Sequence, residues 1–492
     1  MTLFARAFLA LFAFAVLTPA FAAPRTDLVV GVRLEPPHLD PTAGAAAAIG
    51  EVTYANLFEG LTRIDRDGKV KPALASSWEI SDDGKTYVFR LRSGVTFHDG
   101  TTFSASDVKF SLERARGEGS VNPQKGLFEP IDKIETSDPT TVTITLKRPT
   151  GAFLFNLGWP AAIIVSAKSA ETNKTNPIGT GPFRFSNWTK GASVELMRNE
   201  TYWGRKPALE KILFRVIADP SAAYASLMAG DVDAYPIYPA PENLDQFRAD
   251  KRFTVVVGNT EGKTILAINN GKVPFNDLKV RQALAYAVDR NAVITGAMFG
   301  IGQPIGSHFS PTDPGYVDLT AQYAYDPYKA KALLREAGVN DLKLRLVLPP
   351  PEYARRGGEI IAQQLKAIGI AVEIVPVEWA QWLSDVFKAK NYDLTIISHV
   401  EPMDLDIYAR DDYYFDYKSP AYKALYAELA ATTDEAKRLE LIGKAQKMLA
   451  DDCVNVFLFL LPKSGIWNAK LKGLWENAPI PVNDLTEVEW VE

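Results

Sequence analysis

Residues 343–398 read KLRLVLPPPEYARRGGEIIAQQLKAIGIAVEIVPVEWAQWLSDVFKAKNYDLTIIS. Residues 343–348 form a short, mostly apolar run that suits a buried strand. Residues 359–368 carry apolar side chains at helical spacing and stop at Gly369. A second strand follows at 371–375, a second helix at 379–388 and a third strand at 392–398. The order β-α-β-α-β predicts a parallel sheet with right-handed crossovers, and therefore an α/β fold. Asp326-Pro327 upstream pairs an N-cap with proline at the first helical position, and Gly338 closes that helix. Helices at 421–429 and 434–450 and an apolar strand at 454–460 are expected downstream.

Open parallel sheets bind ligands beyond the carboxyl ends of their strands. Those ends are the loops 349–356, 376–382 and 399–406. The third is the richest. Residues 398–417 read SHVEPMDLDIYARDDYYFDY, with Glu401, Asp404 and Asp406 at its start, His399 before them and five aromatics among or after them. A carboxylate here suits a ligand ammonium, at roughly 1.5–3 kcal/mol for a charge-assisted bond. The competing expectation is a solvated acidic loop with capping aspartates. Arg355 and Arg356, in the first loop, are candidates to clamp a ligand carboxylate. Trp379 and Trp382, three residues apart after the second strand, are candidate aromatic walls or core packing.

Further out, residues 28–32 read as a strand. It leads into Glu35-Pro36-Pro37-His38-Leu39-Asp40-Pro41, a loop stiffened by prolines that places Glu35 and His38 as candidate ligand contacts. Residues 176–188 look like a crossing between domains. A helix at 222–228 stopped by Gly230, a strand from 232, and a helical face within 275–290 capped by Asp277 complete the outline.

The chain has 492 residues, too many for one core, so two or three domains are expected. Its formal charge of −5 argues against a nucleic-acid partner, which requires a concentrated basic patch. Arg6, an apolar run over 7–17 and Ala20-Phe21-Ala22 predict a cleaved export signal at 1–22, without a cysteine for lipid attachment. Cys453 is the only cysteine, so no internal disulfide is expected and a packed, inert thiol is. His38 and His399, with nearby carboxylates, offer a metal-binding alternative. No H-E-x-x-H, G-x-S-x-G, P-loop or G-x-G-x-x-G occurs, which leaves a carboxylate-pair hydrolase as the main enzymatic alternative.

Residues 72–114, PALASSWEISDDGKTYVFRLRSGVTFHDGTTFSASDVKFSLER, contain an Asp83-Gly84 hairpin, a turn at His98-Asp99-Gly100 and a helix capped by Ser104 with Asp107 at its third position. The Trp-Glu, Asp-Gly-Lys-x-Tyr, Phe-His-Asp-Gly and Phe-Ser-Ala-x-Asp-Val pieces resemble the signature of the family 5 solute-binding proteins of peptide and nickel ABC importers. Further matches include Tyr54-Ala55-Asn56-Leu57-Phe58-Glu59-Gly60-Leu61, Gly179-Thr180-Gly181-Pro182-Phe183 and Val280-Arg281-Gln282-Ala283-Leu284. The resemblance implies a two-lobed periplasmic-binding-protein (Venus flytrap) fold with an extra inserted domain. By analogy lobe I covers 24–65, 180–272 and 464–492, the inserted domain 66–179 and lobe II 273–463.

It also implies a periplasmic, monomeric, non-enzymatic protein without cofactor or bound metal. Such a protein captures a small peptide or peptide-like solute and delivers it to permease subunits. The alternatives are a secreted hydrolase and a nickel or metal-chelate carrier. Dipeptide binders of the family carry an early Asp after the third strand that holds the ligand ammonium. Here Glu401 or Asp404 takes that place, and His399 replaces an aromatic. Tyr54 joins the candidate contacts through its motif.

Overall fold

The computed structural model describes residues 25–44 and 46–491, so the export signal expected at 1–22 lies outside the described residues. The three strands of the opening stretch form as Lys343–Leu348, Ala371–Pro376 and Leu394–His399, and all pair in parallel with Lys343–Leu348 at the centre. They make one end of an eleven-stranded sheet. Two long strands, Phe253–Ile268 and Asn455–Asn468, carry that sheet onward to Ala234–Tyr235, Asp27–Val32, Lys211–Val216, Ser193–Arg198 and Phe183–Thr189.

The long strands decide which core each part of the sheet joins. Side chains alternate across a strand. Accordingly Ile265 and Ala267 enter one core with Val347, Ile397 and Phe457, whereas Leu266 and Ile268 enter another with Leu346, Ile396 and Leu458. Burial on both faces explains why these strands read as continuous apolar runs. The other ends of the same strands pack on a third core built from Val30, Phe183 and Phe214. Between the two halves the ladder breaks register, from Asn259 opposite Pro462 to Lys263 opposite Leu460.

The first crossover helix is longer than its sequence pattern. It spans Glu352–Ala367, because Gly357 and Gly358 lie inside it rather than before it. A Cβ on Gly358 would stand 2.3 Å from a Leu348 methyl, so glycine permits close packing of helix on strand. Arg355 and Arg356 are therefore helical residues, not loop residues as expected. The second crossover begins as one α-turn, Trp379–Gln381, and widens into a π-turn, Trp382–Lys388.

Residues 72–114 form the local unit expected of them. Ala75–Ile80 pairs with Thr86–Leu91 in a four-stranded antiparallel sheet completed by Thr141–Leu146 and Ile131–Asp138. The helix Ala105–Arg116 starts in a capping box between Ser104 and Asp107. The other matching motifs are also scaffold. Glu59 is buried and accepts from Thr180 Oγ1 (2.8 Å), Tyr202 OH (2.8 Å) and Trp203 Nε1 (2.9 Å). Added Cβ atoms on Gly179 and Gly181 would come within 2.0 and 2.5 Å of the Leu57 and Asn56 carbonyl oxygens. Arg281 donates to the carbonyls of Phe275, Asp452 and Cys453. Cys453 is buried, with its thiol pushed up to about 12 by that burial, as an inert group should be.

Candidate functional site

A cavity of about 870 Å³ opens beyond the carboxyl ends of the parallel strands. One wall comes from this sheet's loops and the helices after them, through Trp379, Glu401, Tyr413, Tyr426 and Arg438. The facing wall comes from the four-stranded-sheet unit, through Arg148, Phe155 and Trp159. The walls meet at Gly151, whose N–H donates to the Ala430 carbonyl at 2.9 Å.

Behind the first wall lies a buried ionic cluster. Leu394–His399 pairs antiparallel with Phe253–Ile268, which sets Lys263 directly across from His399. The chain then turns back through Met403, at φ +54°, so that Asp404 returns under the strand end. Asp404 Oδ1 lies 2.8 Å from Lys263 Nζ, and its Oδ2 lies 3.1 Å from His308 Nε2. Lys263 also donates to the Glu401 carbonyl. All three side chains are buried, Lys263 to 1% exposure and Asp404 to 7%. Burial opposes the charge on Asp404, but His308 and Lys263 outweigh it and hold the carboxyl well below the usual carboxylate range. Burial likewise pushes His399 down to about 3. A second acid pair lies close by, where burial raises Asp313 to about 6 and, with Asp313 beside it, keeps Glu261 well above the ordinary glutamate value.

The candidate residues divide sharply. His399, Glu401, Asp404, Asp406, Trp379 and Trp382 all border the cavity. Only Glu401 offers an exposed carboxylate without an ion-pair partner among the described residues; Asp406 is bound to Arg410. Trp379 is 43% exposed, whereas Trp382 is buried and donates to Thr395 Oγ1 at 3.0 Å.

The structure does not bring the other five to this cavity. Arg355 donates to the carbonyls of Pro349 and Val377, and Arg356 lies 3.5 Å from Glu352. Glu35 accepts from Trp188 Nε1 and the Gly191 N–H. His38 packs on Gly44 and is not among the side chains that converge with His399, to which the metal-binding alternative joins it. Tyr54 is a core residue that donates to the Gly158 carbonyl. Sequence reading missed Lys263, His308 and Arg438. A lysine two residues before the apolar run 265–268 was the available signal for the first.

Comparison with known proteins matches residues 69–421 to the model of bacterial extracellular solute-binding proteins, family 5. The dipeptide-binding protein of Escherichia coli strain K12 is 33% identical over 78% of this chain and 79% of its own length. The periplasmic binding protein DppA of Helicobacter pylori, solved with the peptide STSA, superposes with a TM-score of 0.75 at 28% identity, covering 95% of this chain and 99% of DppA. HbpA2 of Haemophilus parasuis superposes with a TM-score of 0.87 at 25% identity, covering 95% and 100%. The α/β architecture is thus that of the two-lobed periplasmic binding proteins, and this chain belongs to family 5 of the bacterial extracellular solute-binding proteins.

Proposed function

We propose that this chain is the solute-capturing component of an ABC importer, taking a small peptide or peptide-like solute and delivering it to permease subunits. The observation that carries the reading is the cavity itself. Its volume falls within the roughly 300–1,000 Å³ usual for small-molecule sites. Its walls are aromatic, and two side chains of opposite charge, Glu401 and Arg438, face it without ion-pair partners among the described residues. A short zwitterionic chain supplies both complements. The relatives named for dipeptide and peptide binding support the same class.

The expected parts are 24–65 with 180–272 and 464–492, then 66–179, then 273–463. In this reading the boundary expected at 272 moves back to the register break near Asn259–Lys263, which is the flexing point, because Ile265–Ile268 fill the cores of the second lobe. Closure brings the Glu35–His38 loop over the ligand, expels water and shifts an open–closed equilibrium by the ligand's differential affinity. The protein works in the periplasm as a monomer, after loss of residues 1–22, and binds without turnover.

Native mass spectrometry of the protein with its co-purified ligand names the solute. Calorimetry with that ligand then tests the charges. Glu401→Ala is expected to weaken binding at least tenfold, with the unfolding midpoint nearly unchanged because the side chain is exposed. Unchanged affinity in both Glu401→Ala and Arg438→Ala rejects the charged-end reading. Product formation from peptide pools rejects binding without turnover.

A further inference from the structure

We propose that His308, His399 and Asp404 form a binding site for one late first-row divalent transition-metal ion, with an open coordination position facing the cavity. The inference stands on side-chain geometry and does not depend on what the importer carries.

Three donor atoms converge. His308 Nε2, His399 Nδ1 and Asp404 Oδ2 all lie within 4.8 Å of one another. Asp404 Oδ2 is 3.1 Å from the first and 3.9 Å from the second. An ion bound at about 2.0–2.2 Å to each donor needs donor separations of roughly 3–3.5 Å, so the His308–Asp404 pair already fits and the His399 ring must close in from 3.9 Å. Two imidazoles and one carboxylate suit zinc, nickel or cobalt, whereas calcium and magnesium seek oxygen alone.

The surroundings of the donors are built as such ligands require. The nitrogen of each ring that does not face the site is held by a tyrosine hydroxyl, His308 Nδ1 by Tyr408 at 3.0 Å and His399 Nε2 by Tyr414 at 2.9 Å. Asn455 Nδ2 in turn donates to Tyr408 OH at 3.1 Å. Outer contacts of this kind orient ligating histidines, and a hydroxyl can accept from the outer ring N–H when the inner nitrogen turns its lone pair to an ion. Lys263 takes the other oxygen of Asp404, which turns Oδ2 toward the rings.

Access and charge are consistent with an ion. His399 and Asp404 border the cavity, while His308 approaches from the buried side at 0% exposure. The fourth position therefore points to the space a solute occupies. Lys263 and Asp404 cancel each other, and the buried carboxyls of Glu261 and Asp313 lie within Coulombic reach of both. The competing role for the triad is a metal-free ionic knot that only holds the 399–409 loop in place.

The two roles separate in one experiment. Full-length mature protein without a histidine tag is stripped with a chelator, then titrated calorimetrically with Zn²⁺ and with Ni²⁺ alone, and its metal content is measured after gel filtration. The site predicts one ion per chain, and the Co²⁺ form should show the visible absorption of a nitrogen-containing low-coordinate site. His308→Asn and His399→Asn should each weaken uptake more than tenfold. Tyr414→Phe touches no donor atom and should weaken it about 10–100-fold while the fold persists. Absence of stoichiometric uptake by the wild-type protein overturns the proposal. So does uptake unchanged in Tyr414→Phe and in whichever histidine variants fold, because that places the ion elsewhere.

Discussion

Two acid-rich regions of this molecule solve their electrostatics in opposite ways. In residues 72–114 each acidic turn or cap finds its partners nearby. Asp83 accepts from Ser81 and the Lys85 N–H, Asp99 from Thr101, and Asp107 from Ser104. In residues 399–417 the central acid, Asp404, has partners on other elements altogether: Lys263 on a long strand and His308, 96 residues away, in a loop. The first region carries its instructions in its own sequence. The second takes its charge balance from how the sheet brings remote strands together, so an acid that reads as free is already neutralised.

The largest consequence falls on Lys263. Lys263→Met leaves Asp404 charged and buried with only His308 beside it, and is expected to destabilise the protein by about 3–5 kcal/mol in urea unfolding. The double variant Lys263→Met/Asp404→Leu should recover much of that loss, because two apolar groups replace a pair. The same contact bears on Asp404→Ala. It strands a buried ammonium and must cost stability as well. If Lys263→Met is tolerated within about 1 kcal/mol, the contrast between the two regions collapses.

His98 offers a titratable test at the one turn of the first region whose side chain is held by a remote segment. Its Nε2 lies 3.0 Å from the Gly181 carbonyl, and its Nδ1 accepts from the Gly179 N–H at 3.2 Å, an arrangement that satisfies the neutral ring. Burial is the main cause that pushes its pKa down to about 4. The unfolded chain therefore binds a proton near pH 6.5 that the folded chain refuses until about pH 4. The stability this group contributes is complete above pH 6.5 and is lost as pH falls toward 4. His98→Gln should lower stability at pH 7.5 by about 1–2 kcal/mol and flatten the pH dependence in that window. His399, pushed down to about 3, contributes a slope across the same window and on to pH 3 in both proteins, so His98→Gln reduces the slope between pH 6.5 and 4 without abolishing it.

How much was legible follows from the same distinction. The parallel strands, the capping box, the Asp326 cap and the stop at Gly230 rest on neighbours within a few residues, and each forms where its pattern puts it. The rim at the strand ends was legible from topology, and the cavity opens there. The start of the helix at Glu352 was not, because Gly357-Gly358 reads as a breaker until Leu348 is seen pressed against it. Nor were Tyr54, Arg355 and Arg356. The Tyr54 hydroxyl and the Arg355 guanidinium are taken by backbone carbonyls that no side-chain pattern encodes, and Arg356 faces Glu352 one helical turn back.

A smaller effect is expected from Ser104. Ser104→Ala removes half of the capping box and should cost about 1 kcal/mol, since the first-turn N–H then loses its side-chain acceptor. The loss should fall on the four-stranded-sheet unit and leave ligand affinity unchanged.

The smallest effect belongs to the acidic loop's own surface pair, and it sharpens the contrast most cleanly. Asp406 accepts from Arg410 one turn later, with the arginine side chain 52% exposed and the aspartate 32%. Such a pair trades modest attraction in high dielectric against the ordering of two side chains, and is worth about 0–1 kcal/mol. Arg410→Ala should therefore change the urea midpoint little, and less still in 0.5 M salt, where screening shortens the reach of exposed charge. The two ion pairs lie in the same loop, at Asp404 and Asp406, and differ in burial rather than in chemistry. A loss at Arg410 comparable to that at Lys263 would mean that the whole loop behaves as one cooperative charge network. A loss near zero beside several kcal/mol at Lys263 means that the loop is pinned at Asp404 alone, leaving Glu401 and Asp406 free to answer to ligand.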